Sequence, residues 1–466
     1  MLDLVIRGGT VVTAGGVSRA DIGVDREKVT QIGGEMRGRR EIDAAGRYIL
    51  PGGVDPHVHL SRPARQDPGQ DSWVDDFFSG SRAAIAGGVT TIGNMTFQWR
   101  GETLRQALAR DLEAVERDAA VDVILHPVLT EPTEDIVDEI PRLAEAGHTS
   151  LKIFMSRDNF DADVDLYLRA MRLAAQAGTM TLVHCEDGAL QRYLRRRLAE
   201  EGRDALRFYP DSRPAYTEAV ATERAVSFAR ATGASIYVVH LSSAAALRHC
   251  RAARAEGLRV YVETRPLYLY LTRDRFEEPD GAKYTGAPPL REQADVDAMW
   301  HGLQSGDIQC VCTDHAPWTL RQKLDPALTV ATVRNGVADL ETLMPMLFSE
   351  GVGKGRLSLS RFVELTSTNP AKLFGLYPRK GTVAVGSDAD VVVWDPHLTR
   401  TIDGASMYSN AGYSVYDGRE VSGWPVYTIS RGEVVLEHAE VMAQRGRGRW
   451  IRRDAAPESS RGQAAL

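Results

Sequence analysis

The chain has 466 residues, of which 43% are hydrophobic and 26% charged. That balance belongs to a folded globular chain and excludes a disordered one. With 63 acidic against 56 basic residues and a formal net charge of -7, the charge is mild and mixed, which argues against nucleic-acid binding.

The first residues, MLDLVIRGGTVV, lack the basic and long apolar segments of a signal peptide, and no run approaches the ~18 apolar residues that span a membrane. The expectation is a cytoplasmic chain without membrane contact. Its four cysteines, Cys185, Cys250, Cys310 and Cys312, read as reduced core thiols rather than a zinc cluster.

Residues 1–50 alternate apolar and polar positions between glycine-rich turns, as short strands do. The stretch 378–447 has the same character, so both ends are expected to build one composite β-sandwich. Between them, 51–377 follows another rhythm. Apolar runs (YILPGGVDPHVHL, GVTTIGNMT, VDVILHPVL, TSLKIFMS, TMTLVHCED, ASIYVVHLS, LRVYVETRP, IQCVCTDHAP) alternate with helix-like segments such as ETLRQALARDLEAVERDA, TEDIVDEIPRLAEAG and DVDLYLRAMRLAAQAG. Eight continuous apolar strands, each followed by a helix, predict an α/β fold of TIM-type (β/α)8 barrel class. Two more helices are expected near 338–350 and 359–374. The last segment, 448–466, is polar and rich in small residues and reads as a fraying C-terminal tail.

In such a barrel the reactive residues lie at the C-terminal ends of the strands. Strand one ends in His57 and His59, which share a face at i and i+2. Strand five ends in His184, strand six in His240 and strand eight in Asp314. Four imidazoles and a carboxylate at one mouth point to a site for zinc or a similar divalent ion. Strand four carries Lys152, in the apolar run LKIFM. Only seven of the 56 basic residues are lysine, so arginine supplies the routine solvated charge and a lysine inside a strand needs its own reason. It either reaches back to the barrel mouth or keeps a desolvated amine available for chemistry.

From about residue 4 to about 450 the chain resembles the cyclic amidohydrolases: hydantoinases, dihydropyrimidinases and, more distantly, allantoinases and dihydroorotases. The matching stretches include PGGVDPHVHL, SLKIFMS, LVHCED, VVHLSS, APPLR, CTDHAP, NGVADLETLMPML and NPAKLFGLYPRKGTVAVGSDADVVVWD. The resemblance implies a binuclear centre. His57, His59 and Asp314 would hold the more buried ion and His184 and His240 the outer one. Lys152, carboxylated by CO₂, would bridge both with a hydroxide, and the metals are most simply zinc. It implies ring opening of a hydantoin or dihydropyrimidine to an N-carbamoyl amino acid, with the hydroxide attacking and Asp314 carrying its proton to the leaving nitrogen.

For substrate contacts the resemblance points to Asn335 and Ala287, largely through their backbone, although D-hydantoinases commonly have serine at the latter position. At Arg157, D-hydantoinases and dihydropyrimidinases place a tyrosine that donates to the developing oxyanion. Arg157, Arg265 and Arg62 could all lie near the mouth. An allantoinase or another cyclic ureide or imide hydrolase is the nearest alternative reading. An inactive oligomeric scaffold is the non-enzymatic one, and the complete ligand set speaks against it. The family implies a homodimer or homotetramer, in which the segment 424–435 takes part.

Overall fold

The computed structural model describes residues 1–60 and 72–454. Its centre is a ring of eight parallel strands: β1 (Gly53–Val58), β2 (Val89–Phe97), β3 (Asp122–Val128), β4 (Ser150–Phe154), β5 (Met180–His184), β6 (Ile236–Val238), β7 (Val260–Thr264) and β8 (Cys310–Val311). The ring closes where Val58 bridges His315 and the His59 amide donates to the His315 carbonyl at 2.8 Å. These strands are continuously apolar because both faces are covered, by helices outside and by packed side chains within. Beneath the mouth the interior is filled by Val54, Met95, Ile124, Leu182, Tyr237 and Cys310, with Phe374 and Ile451 among the residues that complete this cluster. All four cysteines are free and buried.

The helices follow local sequence signals. Leu104–Asp118 opens with a capping box in which the Thr103 hydroxyl accepts from the Gln106 amide, while Ala215–Thr232 stops at Gly233, whose φ of 74° suits glycine. The single helix expected over TEDIVDEIPRLAEAG is instead two, Glu134–Val137 and Ile140–Glu145, because Pro141 has no N–H to give the preceding turn. The two late helices are present, and both pass into one turn of π-helix, at Phe348–Val352 and Glu364–Thr368.

Both ends of the chain meet in one seven-stranded sheet. Val391–Thr401 pairs antiparallel with Tyr48–Pro51, with Val392 opposite Leu50, and Glu420–Ser430 lies on its other side. Against it packs a four-stranded sheet from the first 43 residues, around a core of Ile6, Val24, Ile49, Val391, Val393 and Ile429. This sandwich is riveted to the barrel floor by charge. The Lys380 ammonium lies 2.6 Å from Asp122 at the start of β3, 2.6 Å from Asp390 and 3.0 Å from Asp388.

The segment from 448 to 454 does not fray. The Val123 amide donates to the Arg449 carbonyl and the Ile451 amide to the Val123 carbonyl, each at 2.8 Å, so this segment runs beside β3. Arg453 is 1% exposed, and its Nη2 donates to the Leu125 carbonyl at 3.1 Å and to Ser150 Oγ at 3.0 Å. Residues 455–466, the rest of the expected tail, lie outside the described residues. Among the described residues no helix is long and apolar enough to cross a membrane.

Candidate metal centre

At the C-terminal end of the barrel, His57 and His59 leave β1 on one side of Asp314. Asp314 Oδ1 lies 3.2 Å from His57 Nε2 and 2.8 Å from His59 Nε2. All three residues are buried, and their ligand atoms fall within 4.8 Å of one another. His184 Nδ1 and His240 Nε2 are 2.9 Å apart, and the His240 ring centroid is 5.5 Å from that of His57. The four histidines and Asp314 expected from the strand ends therefore converge. Lys152 is fully buried, its ammonium 4.6 Å from the Phe154 ring centroid and without a hydrogen-bond partner among the described residues.

The protonation of this group suits a cation. Burial lowers His59 to about 4 and carries His184 and His240 below the usual histidine range, which leaves neutral imidazoles. Burial alone would raise Asp314, yet the Arg265 guanidinium beside it holds it well below the carboxylate range. Burial also lowers Lys152 to about 8, against the pull of Glu263 and Asp314. His57 Nε2, His59 Nδ1, His240 Nδ1 and Lys152 Nζ are enclosed polar atoms without hydrogen-bond partners among the described residues. Such orphans are costly in an apolar interior, and metal ions shared among them would satisfy lone pairs that the protein does not. The donor set of imidazole, carboxylate and amine fits divalent ions of the zinc kind.

Backbone strain marks the same place. His240 and Asp314 have φ of 39° and 51°, a left-handed conformation that ordinary side chains adopt only when their surroundings impose it. A second layer of carboxylates lies behind the histidines. Glu263 on β7 hydrogen-bonds His57 Nδ1 and also accepts from the His240 amide at 2.9 Å. Glu186 holds His184 Nε2 at 2.8 Å and is itself paired with Arg213. Each fixes one ring nitrogen and so orients the other. The sequence reading gave Glu186, Glu263 and Arg213 no role. A carboxylate two residues beyond His184 and another at the end of β7 were the available signals.

A cavity of about 370 Å³ opens over these residues, and Asn335, Ala287 and Arg157 all line it. Trp73, Phe97 and Phe154 give it an aromatic wall, Trp73 and Phe97 having ring centroids 6.0 Å apart. Of the three arginines expected near the mouth, Arg157 lines the cavity and Arg265 reaches Asp314 from within the barrel. Arg265 is fully buried and donates from Nη1 to Asp314 Oδ2 at 3.0 Å, so it serves the carboxylate. Arg62 lies outside the described residues.

The cavity backbone has a cationic clamp of its own. Lys323, 1% exposed, donates to the carbonyls of Thr285, Arg334 and Gly336 at 2.6, 2.7 and 2.9 Å. Those carbonyls flank Ala287 on one loop and Asn335 on another, so one ammonium sets the spacing of both.

Residues 48–435 match the Amidohydrolase family. The D-hydantoinase of Ralstonia pickettii is 38% identical over 458 residues, covering 97% of this chain and 99% of its own. Among solved structures, a D-hydantoinase from a Bacillus species has a TM-score of 0.93 at 38% identity, covering 98% of this chain and all of its own. The dihydropyrimidinase of Brevibacillus agri has a TM-score of 0.92 at 38% identity, covering 97% of this chain and 99% of its own.

Proposed function

The chain belongs to the amidohydrolase family, on its hydantoinase and dihydropyrimidinase side, and from that premise we propose that it opens a cyclic amide ring by hydrolysis, releasing an N-carbamoyl amino acid. The observation that carries the reading is the convergence of His57, His59 and Asp314 beside the buried, unpartnered Lys152.

His57, His59 and Asp314 would hold one divalent ion and His184 and His240 a second, zinc in both cases, with Lys152 between them as a carbamate. Bound there, such ions supply Lewis acidity towards the ring carbonyl and acidify a water for attack near neutral pH. Carbamate formation consumes a neutral amine and CO₂ and releases a proton, and burial favours the neutral amine by lowering Lys152 to about 8. It also replaces a buried cation by an anionic ligand, which removes the cost of the unpaired ammonium.

The protein's own groups do the rest. Asp314, kept ionised by Arg265, takes the proton of the attacking water and delivers it to the ring nitrogen as the C–N bond breaks. Glu263 and Glu186 hold His57 and His184 in register. Asn335 and Ala287 fix the ureide edge of the ring through their backbone, and Arg157 faces its substituent. The protein works in the cytoplasm as a homodimer or homotetramer; the segment 424–435, expected in the contact, is for the most part buried in its own sandwich.

Hydantoin, dihydrouracil, allantoin and dihydroorotate are to be screened for ring opening, with metal measured on the same sample. Turnover of hydantoin or dihydrouracil is expected, with close to two divalent ions per chain. A fully active preparation holding one ion or none removes the binuclear reading.

Lys323→Met tests the clamp. It is expected to raise KM about tenfold while kcat changes far less and both ions stay bound, because misplaced substrate-holding groups cost chiefly binding. Steady-state kinetics and elemental analysis on one preparation check it.

A further inference from the structure

Arg157 is an unusual resident of the cavity. It follows β4 by three residues, is half-buried, and lines the space above the candidate metal ligands. Its Nε is enclosed without a hydrogen-bond partner, and no carboxylate among the described residues pairs with its guanidinium. Arg213, on the same cavity, is neutralised by Glu186. Asp314, the sole carboxylate among the described lining residues, is already engaged by Arg265 and His59. Among the described residues, the other charged groups lining the cavity, Arg213 and Asp314, have their complements inside the protein, and Arg157 does not.

The aromatic wall of Trp73, Phe97 and Phe154 suits the flat face of a small ring. A guanidinium beside it adds nothing for an apolar substituent and pays desolvation when one approaches. For a carboxylate the balance reverses, since guanidinium presents a planar pair of donors to two oxygens. We infer that the ring opened by this protein carries a carboxylate on its substituent and that Arg157 pairs with it. The inference rests on the ring-opening function proposed above and narrows its substrate class to acidic cyclic amides.

The test uses the metal-loaded enzyme with racemic hydantoin-5-acetate and hydantoin-5-acetamide, near-isosteric rings that differ by one charge. Wild type is expected to favour the acid in kcat/KM by about ten- to hundredfold, the worth of one charged hydrogen-bonded contact. Arg157→Gln is expected to collapse that ratio, and Arg157→Lys to keep part of it. Equal rates on the two rings in wild type overturn the inference and leave the proposed function intact. An equal loss on both rings in Arg157→Gln overturns the pairing and assigns Arg157 to the oxyanion. No turnover of either ring, of hydantoin or of dihydrouracil by protein holding its metal overturns the proposed function and this inference with it.

Discussion

Lys152→Ala is expected to lower kcat/KM for ring opening by about a thousandfold or more and to empty at least one metal position. The size follows from what the residue joins. Metal polarisation of a reacting carbonyl is worth several kcal/mol, and each 1.4 kcal/mol is about tenfold in rate. Lys152 is fully buried, without a partner, among apolar neighbours on β4. Among the described residues its removal leaves Asp314 as the one carboxylate lining the cavity, and that group is already engaged by Arg265 and His59. A small acid such as acetate or propionate, diffusing into the space left, is expected to restore part of both activity and metal. Metal analysis and kinetics with and without the added acid decide the matter. A Lys152→Ala protein that keeps its ions and its turnover would reduce Lys152 to a buried strand residue.

Lys380→Met is expected to destabilise the fold by about 3–5 kcal/mol at neutral pH, the cost of breaking a buried ion pair from one side. Lys380 is 1% exposed and neutralises Asp122, Asp388 and Asp390, so the variant leaves three buried carboxylates facing one another. The denaturant midpoint at pH 7 measures the loss. Asp388 supplies the pH dependence. Burial alone would raise it, but Lys380 and its other cationic neighbours hold it at about 2. A carboxyl lowered on folding stabilises above its unfolded value, roughly pH 4, and that contribution is lost as the pH falls through its folded one. The gap between wild type and Lys380→Met should therefore narrow in acid. A gap that is constant with pH, or absent at pH 7, contradicts the network.

The barrel and the grouping of the candidate ligands were legible because strand ends repeat a local signal. His57 and His59 share a strand face by spacing alone, and His184, His240 and Asp314 each close an apolar run. The scarcity of lysine was equally legible, but it led only to Lys152. Lys323 and Lys380 are as deeply buried and sit in segments that read as polar turns, LRQKLDP and YPRKGTV. Their partners are three carbonyls in one case and, in the other, Asp388 and Asp390 from the following turn with the distant Asp122, and no periodic pattern announces either. Glu263 was hidden because its partner His57 lies across the barrel on β1, whereas Glu186 stands only two residues beyond its partner His184 and could have been found. The docking of residues 448–454 was not legible because their composition suggests solvent, whereas Arg453 spends its donors on the backbone and a hydroxyl of the barrel floor.

The seam between Tyr48–Pro51 and Val391–Thr401 has a consequence for the order of assembly. As the chain leaves the ribosome, the first strands emerge with their partner edge bare and stay so until nearly the whole barrel has been made. A contact spanning that much sequence closes late and is costly in loop entropy. Until then the nascent protein exposes open strand edges of a kind that recruit other chains. Slow synthesis or truncation near the C-terminus should thus show itself first as aggregation of full barrels with unfinished sandwiches, well before any defect in the metal ligands.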